Sequence, residues 1–186
     1  LDIFFIKAMV EDPNASGFYN GTKVISSIII SIGFAISYTT LPMVSKLYSG
    51  NDKSAMGDFI VNIMRYSVMI LCPITICIFL TSEELITLFF PNDYKIASDS
   101  LKVLTLSTSF FAIFIVQASI INGIGKPKLP MVTSFFLVPL LIVLNLYLIP
   151  IYGMIGSPLA TLVCTIIGTL VLSLFIVKKY KRLILL

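Results

Sequence analysis

The chain is 186 residues long, 58% hydrophobic and only 12% charged, with a mean hydropathy of +1.03. A soluble domain is roughly a quarter charged, so this composition excludes an ordinary water-soluble enzyme or binding domain. The net charge of +4 does not point to nucleic acid, because the basic residues gather at the ends of apolar runs, and the lack of any His removes His-based nucleophile triads and the commonest metal ligand.

No Asp, Glu, Lys or Arg falls within 24–45, 66–82, 103–125 or 129–177. A spanning helix needs about 20 mainly apolar residues, and the last gap holds two, divided at Pro150-Ile151-Tyr152-Gly153. In chain order the sequence predicts an apolar stub within 1–10, too short to cross a bilayer, and complete spans near 16–48, 54–81, 94–122, 128–149 and 154–178. The stub reads as a cut span and the chain as a piece of a longer protein. Helices are required because lipid satisfies no open backbone and the runs lack the alternation of barrel strands. The expected fold class is therefore all-α: a polytopic transmembrane helix bundle of five complete spans and a truncated one.

The connections are short and alternate in charge. Glu11-Asp12-Pro13-Asn14 is acidic, Ser49-Gly50-Asn51-Asp52-Lys53 follows Lys46, Pro91-Asn92-Asp93 follows Glu83-Glu84, and Gly123-Ile124-Gly125-Lys126-Pro127-Lys128 is basic. The chain ends with Lys178, Lys179, Lys181 and Arg182. The positive-inside rule then places Lys46, Lys53, Lys126, Lys128 and the basic C-terminus in the cytoplasm, with Lys95 and Lys102 as exceptions outside. With no Trp present, interfacial anchoring falls to Tyr19, Tyr94 and Tyr152 outside and Tyr48 and Tyr180 inside. Loops this short leave no room for an extramembrane catalytic domain, so function has to lie between the helices. No enzyme activity, metal or cofactor is expected.

In the 54–81 span, Asp58, Asn62, Arg65, Met69 and Cys72 recur at helical spacing and share one face. An arginine at mid-bilayer costs at least about 2.5–3.5 kcal/mol, which favours a bundle interior or water-filled cavity. The alternative is that Arg65 snorkels to the cytoplasmic headgroups or pairs with Asp58. Arg65 lies twelve residues beyond Lys53, about 18 Å along a helix, so snorkelling is strained. The 16–48 span repeats the pattern with Asn20, Lys23, Ser27, Ser31, Phe34 and Tyr38. If both stripes face one interior, Lys23 and Arg65 place positive charge at two depths, with Asn20 and Asn62 beside them. That suits a phosphate-bearing head group, since guanidinium binds phosphate through paired hydrogen bonds and ammonium acts as a point charge. Lys23 has an interfacial snorkelling alternative of its own, and Lys7 in the stub is a weaker third cation.

Ser157, Thr161, Thr165, Thr169 and Ser173 recur every fourth residue in the last span beside Ala160, Cys164 and Gly168, a pattern that favours helix packing over ligand contact. Cys72, Cys77 and Cys164 lack ligand spacing and read as packing residues. Pro42, Pro73, Pro139 and Pro158 lie in or near spans, where a bend serves either gating or static shape. No paired intramembrane carboxylates are present, and the depth of Asp2 is hidden by the cut span, so no ion-coupling site is assigned.

The run Asn145-Leu146-Tyr147-Leu148-Ile149-Pro150-Ile151-Tyr152-Gly153-Met154-Ile155-Gly156-Ser157-Pro158-Leu159-Ala160-Thr161 resembles a segment of polysaccharide-biosynthesis membrane proteins. The resemblance extends through Gly17-Phe18-Tyr19, Leu41-Pro42, Pro73, Phe89-Phe90 with Tyr94, and Asn122-Gly123-Ile124-Gly125-Lys126, in the right order over essentially the whole chain. It implies a member of the multidrug/oligosaccharidyl-lipid/polysaccharide exporter superfamily, with two six-helix lobes around a central cavity, this chain being the C-terminal lobe and the N-terminal lobe its missing partner. The implied activity is flipping of a polyprenyl-pyrophosphate-linked oligosaccharide across the cytoplasmic membrane by alternating access. Ser157-Pro158 departs from the small Ala-Ala-like pair common in that family, at a helix start where Pro costs little. The competing readings are a multidrug antiporter of the same superfamily, expected to carry acidic cavity residues, and a membrane-embedded enzyme or subunit of the polysaccharide pathway.

Overall fold

The computed structural model describes residues 2–10, 15–50 and 52–184. The acidic connection at 11–14 and the side chains of Asp2, Lys53, Lys179, Tyr180, Lys181 and Arg182 lie outside the described residues. Among those described the regular structure is all helical: α1 Asp2–Met9, α2 Ala15–Ser49, α3 Lys53–Leu80, α4 Ser82–Phe89, α5 Ser98–Gly123, α6 Lys128–Tyr152 and α7 Gly156–Ile184. Four stretches are long and apolar enough to cross a membrane, and the last, Lys128–Lys178, folds as the two helices α6 and α7. Gly153, at φ +58°, makes the turn between them.

The 82–97 region differs from its expected loop. It forms the short helix α4 and a 3-10 turn over Asn92–Ala97, and α5 starts at Ser98, four residues past the expected 94. Glu83 and Glu84 occupy the first turn of α4, where negative charge complements the helix dipole, and Ile86 is buried beneath. Lys95 Nζ lies 2.6 Å from Glu83 Oε1 and ties the 3-10 turn to α4. A helix of eight residues leaves no trace in a search for membrane-length apolar runs.

The bundle is organised around α5, two-thirds of whose apolar window is buried, against 22–39% for the other spans. Hydrocarbon gives helices no hydrophobic reason to associate, so close backbone approach and interhelical hydrogen bonds take over. α2 runs parallel to α5 and touches it through small residues. A Cβ on Gly33 would lie 2.7 Å from Ala112 Cβ and 2.9 Å from its Cα, and one on Gly123 would lie 2.9 Å from Val44. The Ser37 and Ser119 hydroxyls bond each other between these two contacts. α3 is antiparallel to α5 and bonded to it by Thr75 and Ser109. α7 joins through Thr169 Oγ1, which donates to the Phe110 carbonyl at 2.9 Å, and through Gln117 Nε2, which donates to Ser173 Oγ at 2.7 Å. α6 pairs with α7 as a hairpin in which Gly156 sits against the Leu148 carbonyl.

Gly33 meets backbone as well as side-chain atoms, so even one methyl forces the two helices apart. Gly33→Ala is expected to cost about 1–3 kcal/mol as an overpacked contact, seen as a lowered melting temperature in detergent. Adding Ala112→Gly should recover only part of the loss, because the Ala112 Cα still lies 2.9 Å from the added methyl and a mid-helix glycine carries a cost of its own.

Candidate functional site

A cavity of about 350 Å³ opens between α2, α5, α6 and α7. Lys23 and Ile30 of α2, Leu104 to Phe114 of α5, Leu141 back to Ser134 of α6, and Thr161 to Thr165 of α7 border it. The helices fall in register here, so Lys23 marks the end nearest the α2 N-terminus and Phe114 the end nearest the middle of the bundle. Lys23 is half-buried, and its ammonium sits 5.6 Å from the centroid of the fully buried Tyr19 ring, within cation–π range. Among the described residues that border the cavity it is the sole charged one.

Five hydroxyl residues also border this space: Ser107, Thr108, Ser134, Thr161 and Thr165. Four of them spend their proton on their own helix. Ser107 donates to the Leu104 carbonyl, Thr108 to Thr105, Thr161 to Ser157 and Thr165 to Leu162, all at 2.9–3.1 Å. The walls therefore offer hydrocarbon, hydroxyl oxygens and the rings of Phe111 and Phe114, which stack at 6.2 Å between centroids. Chemically this is an apolar slot with one cation at its end.

The other sequence candidates lie elsewhere. Asp58, Asn62, Arg65, Met69 and Cys72 are all exposed on α3, on the side opposite its buried stripe of Met56, Ile60, Ser67, Leu71, Thr75 and Ile78. Arg65 does not border the cavity that Lys23 borders, nor either of two smaller clefts of about 190 and 210 Å³ beside α3. Asn20 is exposed on α2, as are Ser27, Ser31, Phe34 and Tyr38 along the same stripe, and Lys7 is exposed on α1. The structure thus brings Lys23 into a cavity but leaves Arg65, Asn62 and Asn20 on outer faces of this bundle. Thr161 and Thr165 of the last-helix ladder border the cavity, whereas Thr169 and Ser173 bond α5. Cys72 and Cys77 are exposed and Cys164 is buried. Among the described residues no group of three or more His, Cys, Asp or Glu could hold a metal ion.

Sequence reasoning passed over Gln117. It is 1% exposed in the middle of α5, bonded to Ser173 through its nitrogen, with a buried Oε1 that has no partner among the described residues. It borders the 190 Å³ cleft with Ile60, Met64 and Ile176. The available signal was an amide deep inside a run without charges.

A multi-pass, all-helical membrane bundle with a cation-ended slot between its helices is the class these observations define. The chain belongs to the MatE family, which it matches over residues 1–147. It is 29% identical over 167 residues to an uncharacterized membrane protein of Methanocaldococcus jannaschii, a match covering 90% of this chain and 38% of that protein. A second uncharacterized membrane protein of the same organism is 24% identical over 135 residues, 73% of this chain and 27% of its own length. The probable low-salt glycan biosynthesis flippase Agl15 of Haloferax volcanii is 24% identical over 169 residues, covering 89% of this chain and 36% of that protein. The chain spans between about a quarter and two fifths of the length of these relatives.

The Gln117–Ser173 pair yields a stability prediction. Ser173→Ala alone should cost about 1–3 kcal/mol, because it leaves a second buried polar atom of Gln117 without a partner. Replacing both partners by apolar groups of similar shape can be nearly neutral. The double variant Gln117→Leu with Ser173→Ala should accordingly melt closer to the parent than Ser173→Ala does, with both read as detergent melting curves.

Proposed function

We propose that the full-length protein is a flippase that moves a polyprenyl-pyrophosphate-linked oligosaccharide across the cytoplasmic membrane by alternating access, and that this chain is its C-terminal lobe. The observation that carries the reading is the charge of the slot: among the described residues its single charged lining residue is Lys23, which suits a phosphate-bearing lipid and opposes an organic cation. Membership of the MatE family and similarity to a protein named as a glycan biosynthesis flippase support the same class. The partners implied are a lipid-linked oligosaccharide, the surrounding membrane lipid and an N-terminal lobe of the same protein. A multidrug antiporter would be expected to put carboxylates where Lys23 stands, and a membrane enzyme would be expected to carry a large outer loop or acidic motifs near a membrane face.

A polar head group with several sugars cannot cross hydrocarbon unaided, while the polyprenyl tail remains in lipid. Two lobes that rock against each other give such a head group a polar route. In this arrangement the exposed stripes of α2 and α3 face the route, and Arg65, Asn62 and Asn20 meet the substrate there together with Lys23. The basic chain end from Lys178 to Arg182 and the Lys126–Lys128 connection support a cytoplasmic C-terminus under the positive-inside rule.

Reconstituted full-length protein should carry a labelled lipid-linked oligosaccharide between leaflets, and loss of the protein in cells should lower surface glycan. Arg65→Ala should reduce flipping about tenfold or more, the scale of a lost charge-assisted hydrogen bond of about 1.5–3 kcal/mol. Unchanged flipping by a well-folded Arg65→Ala protein would remove this residue from the route. Orientation is checked by reporter fusions: one after the last helix should read as cytoplasmic and one at Asp93 as external.

A further inference from the structure

We propose that the slot beside Lys23 holds the first isoprenoid units of the lipid carrier, with the Lys23 ammonium on the carrier's phosphate, and that the sugars never enter it. The proposal rests on the flippase reading for the identity of the lipid. The rest comes from the slot. The slot, of about 350 Å³, is lined mainly by hydrocarbon, which suits a stretch of prenyl chain better than a hydrated oligosaccharide. The α5 wall from Leu104 to Phe114 is about 15 Å long at 1.5 Å per residue, so the space is elongated along the membrane normal.

Its chemistry selects the same end of the substrate. Sugar oxygens brought here would lose water and find few donors, since four of the five bordering hydroxyls already donate to their own helix, and burying unpaired polar groups is costly. A prenyl chain has no such groups and packs against Phe111, Phe114 and Leu137. A two-chain phospholipid carries ester carbonyls beside its phosphate, which would meet the same shortage of donors. The cation completes the match: Lys23 sits at the slot's end nearest the α2 N-terminus, over Tyr19. With the C-terminus in the cytoplasm that end is the outer one, so an occupant has its phosphate outward and its chain toward the midplane. This is how a lipid stands in the outer leaflet, and it makes the slot a resting place for the carrier after the head group has crossed.

The test uses the full-length protein in nanodiscs and measures binding of a C55 polyprenyl monophosphate by native mass spectrometry, beside phosphatidylglycerol and inorganic pyrophosphate. Polyprenyl phosphate should bind, with Lys23→Ala weakening it at least tenfold and Lys23→Arg retaining it. Ser134→Phe, at an exposed position on the slot wall, should also weaken it at least tenfold while melting like the parent. Pyrophosphate alone should not compete. Equal competition by phosphatidylglycerol, tight binding by a folded Lys23→Ala, or indifference to Ser134→Phe would each overturn the assignment. A parallel flipping assay separates the two readings. Normal flipping with indifferent slot variants defeats the slot alone, and tight, Lys23-dependent binding without any flipping defeats the transport reading alone.

Discussion

The bundle depends on the contact between α2 and α5 at Gly33 and Ala112. In lipid a helix gains nothing by exchanging hydrocarbon neighbours for leucine side chains, so association falls to close approach and to hydrogen bonds between helices. Gly33 and Gly123 let two backbones meet where no side chain fits, and the Ser37–Ser119 bond lies between them. Once α5 is held there, α3 and α7 attach to its other sides through Thr75–Ser109, Thr169–Phe110 and Gln117–Ser173. The hydroxyl residues and Gln117 of α5 are inside and its partners cover them, an inversion of the soluble pattern.

That contact also sets what Lys23 can do. Ten residues at about 100° each place Lys23 some 80° round α2 from Gly33, on the flank of the α2–α5 seam and not opposite it. A side chain on that flank meets the gap left for α6 and α7, and so Lys23 is half-buried at a cavity edge. Arg65 has the opposite geometry. It lies two residues from the buried Ser67, about 200° round α3, which turns it away from α5. Two cations that look equivalent as members of polar stripes are separated by their angle to a buried neighbour.

Much of the architecture was legible in the sequence because a membrane punishes misplaced charge. Gaps without Asp, Glu, Lys or Arg locate the helices, and short loops force neighbours in sequence to be neighbours in space. Lys23 was legible as a member of a stripe. The short helix α4 was not, since eight residues carry no span signal and its burial at Ile86 is tertiary. Gln117 was not, because one amide in an apolar run says nothing about which helix receives it. Nor were the hydroxyls: Ser and Thr at helical spacing read alike whether they face a ligand or bond the preceding turn, and only the donor's direction distinguishes the two. In the slot that direction turns four of the five hydroxyl residues back onto their own helices and leaves a largely hydrocarbon wall.

The stripe on α3 then poses the remaining physical problem. Asp58, Asn62 and Arg65 are exposed on this bundle, and a mid-membrane arginine against hydrocarbon costs at least about 2.5–3.5 kcal/mol. Snorkelling relieves one side chain when its tip reaches the headgroups, and here the distance back to Lys53 is about 18 Å along the helix. It gives no reason for Asn62 to share the face, because an asparagine side chain is too short to snorkel. A polar surface opposite the stripe relieves all three residues at once. The α2 stripe of Asn20, Ser27, Ser31 and Tyr38 makes the same demand, although Ser27 and Ser31 already meet part of it by donating to their own helix. A bundle closed inside by small residues and polar along two exposed stripes is poorly suited to hydrocarbon on those faces, and the slot at Lys23 opens on another flank, between α2, α5, α6 and α7.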